Sequence, residues 1–80
     1  MSKKANPQNM TAFGKEVTQK LLEKGISQTE LANRIYINNV YLNRMFYGKY
    51  PVQMRTIVAI AKELDMDAGR LAGVVLNEQN

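Results

Sequence analysis

The chain has no cysteine, no histidine and no tryptophan. Without thiols and imidazoles there is no disulfide, no thiolate nucleophile, no Cys/His zinc site and no imidazole acid-base catalysis. Its seven acids are scattered, which argues against a carboxylate metal site. No apolar run nears the roughly 20 residues that span a bilayer, and no signal-type apolar segment follows Lys3 and Lys4. A disulfide-free chain of this size suits a reducing compartment. A cytoplasmic protein without cofactor or membrane attachment is therefore expected.

Acid is also missing from the middle. Between Leu31 and Lys62 there is no Asp or Glu, while Arg34, Arg44, Lys49, Arg55 and Lys62 all fall there. The net charge of +4 is modest, but this clustering can present a basic face to a polyanion. Random clustering on a solvated surface would look the same on charge alone.

With 80 residues, 45% of them apolar, the chain holds one domain with a thin core. Residues 1–8 are polar and read as a flexible start, with Pro7 suited to a first helical turn. Phe13, Val17 and Leu21, with Leu22 beside them, lie at helical spacing up to Gly25, predicting a first helix over about 9–24. Ser27-Gln28-Thr29-Glu30 has the form of a capping box and opens a short second helix with Leu31, Ala32 and Ile35 inward. Asn38 or Asn39 caps a third, over about 38–46, with Leu42 and Met45 facing the core and Gly48 ending it. Tyr50-Pro51 is a connector. Met54, Ile57, Ile60, Ala61 and Leu64 predict a fourth helix over about 53–64. Asp67 is a candidate cap for a fifth over about 68–75, weakened by Gly69 and Gly73. No strand-period run or hairpin signal stands out. The expectation is all-α: five short helices in one domain over 9–76, then a frayed tail over 77–80.

The second and third helices are too short and too closely linked to bury themselves. They must cross and pack on the first and fourth, with Ala32 at the close approach and Ile37 filling the link. The outer face of the third helix is then free, and a helix fits the width of the major groove.

These residues carry a resemblance. Phe13-Gly14, Gly25-Ile26-Ser27-Gln28-Thr29-Glu30-Leu31-Ala32, Arg44-Met45, Gly48-Lys49, Thr56-Ile57 and Ile60-Ala61-Lys62-Glu63-Leu64 together resemble the lambda-repressor/Cro-like (Xre-type) helix-turn-helix family, over about 13–71. The resemblance implies a lambda-repressor-like DNA-binding fold. It implies that Gln28 touches phosphate and braces the third helix, and that Asn38 caps that helix near phosphate. It puts Asn39, Val40, Asn43 and Arg44 at base-reading positions. Lys49 falls in a loop that meets phosphate through backbone and side chain.

Side-chain chemistry agrees. Arg can bond guanine O6 and N7, Asn can bond adenine N6 and N7, and Val40 can meet a thymine methyl. Tyr41 and Tyr47 flank this face, and their hydroxyls reach phosphate in this reading. Each residue has a plainer alternative: a cap at Asn38, core shielding at Tyr41 and Tyr47, an ion pair at Arg44. Two positions depart from the family pattern. Tyr36 stands where the turn usually has glycine, so a reshaped or slightly strained turn is expected, with Tyr36 covering an edge of the motif. Leu21 and Phe46 replace an ion pair that some members carry between the first and third helices.

The expected function is that of a sequence-specific transcriptional regulator, a repressor or Cro-like switch of a phage or mobile element. It would bind operator DNA as a homodimer, with Leu71, Val74, Val75 and Leu76 the available dimer residues. Leu71 and Val75 can equally close the monomer core. The competing reading is a protein-binding module on the same fold, of antirepressor or antitoxin type, which the four tyrosines favour. No nucleophile-base pair, phosphate loop, metal cluster or small-molecule site is read from the sequence, which leaves an enzyme as the weakest of the three readings.

Overall fold

Local signals set most of the helix ends. The computed structural model describes residues 9–78. It has α1 at Ala12–Lys24, α2 at Gln28–Arg34, α3 at Asn39–Phe46, α4 at Met54–Leu64 and α5 at Ala68–Glu78, with no strand among the described residues. No helix there is long and apolar enough to cross a membrane.

Three polar side chains cap helix starts as their types predict. Ser27 Oγ accepts the Glu30 amide at 3.0 Å, Asn38 Oδ1 accepts those of Val40 and Tyr41, and Asp67 Oδ1 accepts that of Arg70. The Ser27 box is only half used. The Glu30 carboxylate turns to Arg34 at 2.6 Å instead.

α1 begins three residues later than spacing suggests. Thr11 takes an extended conformation and its Oγ1 accepts the Gly14 amide. Its own amide and hydroxyl both donate to the Phe46 carbonyl, at 2.9 and 3.0 Å. A carbonyl that α3 leaves open at its end is thus satisfied by the start of α1. The two helices meet closely here: a Cβ on Gly14 would lie 2.5 Å from the Phe46 oxygen, so position 14 admits no side chain.

α5 runs on to Glu78, beyond the expected end near 75, so residues 77 and 78 are helical rather than frayed. The physical reason lies 66 residues away. The Glu78 carboxylate accepts the Ala12 amide at 2.7 Å and the Phe13 amide at 3.1 Å, capping α1 from outside. The flexible start expected for residues 1–8 and the last two tail residues lie outside the described residues.

One core joins all five helices. Phe13, Val17, Leu31, Leu42, Phe46, Ile60, Leu64 and Leu71 are at most 1% exposed. Burying each large apolar side chain contributes roughly 1.5–3 kcal/mol before entropy is counted. Phe46 meets Phe13 edge-to-face at 5.8 Å and shares the core with Leu21, so apolar packing fills the place of the ion pair. Ala32 is fully buried where α2 approaches its neighbours, and Ile37 packs against the core from the link. Two apolar residues depart from expectation. Leu22 and Met54 are exposed, because helical spacing defines a stripe but not where its edges fall.

Candidate nucleic-acid interface

α3 is held on every side except one. Its inner residues Leu42, Met45 and Phe46 are buried. Its start is capped by Asn38, and its last carbonyl is taken by Thr11. At its end Gly48 adopts φ 74°, the Gly48 amide donates to the Met45 carbonyl, and the Lys49 amide donates to the Arg44 carbonyl at 2.8 Å. This is the left-handed turn that commonly closes a helix. It engages the Lys49 amide, while the Lys49 side chain is exposed.

α2 ends in the same turn. Ile37 donates to the Ala32 carbonyl and Tyr36 to that of Asn33, with Tyr36 at φ 62°. The turn is therefore not reshaped. It keeps the conformation that glycine would favour, at a cost for a side-chain-bearing residue of about 1–2 kcal/mol. Nor does Tyr36 cover an edge of the motif: it is 92% exposed. A left-handed backbone directs the ring outward into solvent.

The open side of α3 carries Asn39, Val40, Asn43 and Arg44, which fall together at i, i+1, i+4 and i+5. Val40 is 57% exposed and Arg44 is exposed, while Asn39 and Asn43 are half-buried. Across the α2–α3 crossing, Gln28 Nε2 donates to Asn39 Oδ1 at 3.0 Å. This bond fixes the Asn39 amide yet leaves its Nδ2 and the second Oδ1 lone pair free. Those are the donor and acceptor that adenine N7 and N6 require. Asn38 is committed to capping through Oδ1.

The tyrosines stand to the side. Tyr41 and Tyr47 are half-buried and pack on the core margin, so the shielding role is present at both. Tyr41 also meets Tyr50, with ring centres 5.4 Å apart. The sequence marks Tyr50 as a connector residue before Pro51 and as one of four tyrosines suited to a protein interface, but does not pair it with Tyr41.

The charges separate into two groups. Arg34, counted in the basic stretch, is neutralised by Glu30 and by Glu63 at 3.3 Å. The hydrogen bond to Glu30 is the main cause that raises its pKa above the ordinary arginine value. Arg70 pairs with Glu16 and Lys20 with Glu23. Arg44, Lys49, Arg55 and Lys62 make no ion pair among the described residues. At Arg44 the ion-pair alternative is thus not realised there. No group of three or more acids that could hold a metal ion occurs among the described residues.

A capped helix with a buried inner face, a braced polar outer face and two cations at its end, Arg44 and Lys49, free of ion pairs among the described residues, is a surface suited to duplex DNA. No curated protein matches the sequence. Residues 17–71, more than half of the chain, match the family model described as helix-turn-helix, and the chain therefore belongs to the Cro/C1-type, Xre-like helix-turn-helix family of DNA-binding regulators.

Proposed function

We propose that this regulator binds operator DNA with α3 in the major groove and acts as a repressor or Cro-like switch of a phage or mobile element. One observation carries the reading. The outer face of α3 holds readable polar groups and an arginine with no ion pair among the described residues, with Asn39 already braced by Gln28. Asn39, Val40, Asn43 and Arg44 read bases in this proposal. Gln28, Asn38, Tyr41, Tyr47 and Lys49 hold the phosphates on either side. The protein would act in the cytoplasm, where its DNA is, and the reading needs neither cofactor nor catalysis.

One such unit makes few base contacts, so we assign it a homodimer on two half-sites about 34 Å apart or a multiple. Leu71 and Val75 are buried in the monomer core, which removes them from the dimer residues. Leu76, 60% exposed, and half-buried Val74 stay available on α5.

Selection of bound duplexes from a random library tests the proposal. A palindromic consensus is expected. Absence of any duplex binding, even at low salt, would refute it. Arg44→Ala should weaken binding to the selected site by about 1–3 kcal/mol and relax preference at one base pair. An equal loss on random DNA would instead make Arg44 a phosphate contact. Lys49→Ala should weaken both and lower the salt-dependence slope by about one.

A further inference from the structure

α4 carries a surface that the reading of DNA by α3 does not use. Met54, Val58 and Lys62 lie at i, i+4 and i+8, one stripe of the helix, and Met54 and Val58 are exposed. Arg55 and Lys62 stand on either side of Val58, both exposed. Facing them is the turn after α2. Between the two elements runs a groove of about 370 Å³ lined by Ile35, Tyr36, Arg55, Val58, Ala59 and Lys62 among others. It continues past Tyr36 into a second hollow that reaches Tyr41 and Gln53.

Its chemistry is asymmetric. The floor is apolar. Arg55 and Lys62 make no ion pair among the described residues. The one carboxylate at the rim, Glu63, is bound to Arg34. Tyr36 adds a large ring in a backbone conformation that disfavours it, with almost no packing in return. A strained, exposed aromatic on the lip of an apolar groove is reason to look for a use outside the folded chain.

We propose that this groove docks an acidic segment of a partner protein. An apolar or aromatic side chain of the partner lies over Ile35, Val58 and Ala59 against the Tyr36 ring. Two carboxylates meet Arg55 and Lys62, which are about 10 Å apart along the helix. Charge complementarity selects this occupant. A phosphate backbone has no side chain to fill the apolar floor.

The test is selection from a random library of peptides of about 16 residues against the full chain, followed by two variants. Tyr36→Gly relieves the turn and therefore folds, while removing the ring. The paired variant Arg55→Gln/Lys62→Gln removes the cations from exposed positions. Selected peptides should combine Asp or Glu with an aromatic or aliphatic residue. Each variant should weaken them about tenfold, and change binding to random duplex DNA by less than about threefold. The proposal is overturned if no acidic peptide is enriched, or if the enriched peptides bind both variants as tightly as the parent. It is also overturned if the paired variant loses duplex binding about tenfold with a salt slope lower by about two, which would assign the groove to phosphates.

Discussion

The turns that end α2 and α3 share one backbone path, yet one contains Tyr36 and the other Gly48. Both residues are left-handed, at φ 62° and 74°, and both turns return two amides to the helix they close. Their surroundings differ. A Cβ at position 48 would sit 3.1 Å from the Thr11 methyl, because α1 begins directly above it. Position 36 opens to solvent. Glycine at 48 thus answers to both torsion and space, whereas at 36 torsion alone opposes a side chain. The α2 turn can carry a tyrosine at a tolerable cost, and the α3 turn has little room for even a methyl group.

Substitutions can break or sharpen that contrast. The largest effect is expected for Gly48→Ala: a loss of about 2–3 kcal/mol, combining the left-handed penalty with displacement of Thr11. Thermal unfolding should shift down by roughly 10–20 °C. A loss under about 1 kcal/mol would mean that Thr11 yields freely and that the two turns are equivalent. Tyr36→Gly should be stabilising by about 0.5–1 kcal/mol in urea unfolding, the relieved torsion less the entropy that glycine adds to the unfolded chain. A destabilised variant would show instead that contacts hold the ring in place. The smallest effect belongs to Asp65, left-handed at φ 58° after α4. Asp enters this region more readily than Tyr, so Asp65→Gly should stay within about 0.3 kcal/mol of the parent. A gain matching that of Tyr36→Gly would make the residue type irrelevant.

Where structure depends on near neighbours, the sequence was legible. The apolar spacing of Phe13, Val17 and Leu21, the caps at Ser27, Asn38 and Asp67, and the stop at Gly48 are all local. They place five helices and the inner face of α3 correctly. What sequence could not show depends on residues far apart in the chain. Thr11 starts α1 because the Phe46 carbonyl lies within reach. Arg34 leaves the basic face because Glu63 arrives from α4. The Lys49 amide is engaged because it closes the α3 turn on the Arg44 carbonyl. That Gln28 braces the third helix was legible through the family resemblance alone; that it does so through Asn39 was not, since eleven positions separate the two and spacing says nothing about such a pair. Tyr36 was recognised as unusual, but the direction of its ring follows from a backbone angle that composition does not encode.

The Glu78 clasp on α1 has a consequence for the order of assembly. It joins positions 66 apart, so a chain under synthesis cannot close it until Glu78 has been added. The α2–α3 pair asks for no such wait: its partners are near neighbours, and short loops close at little entropic cost. The link between α2 and α3 can therefore close before Glu78 is made, while the Ala12 and Phe13 amides wait for it.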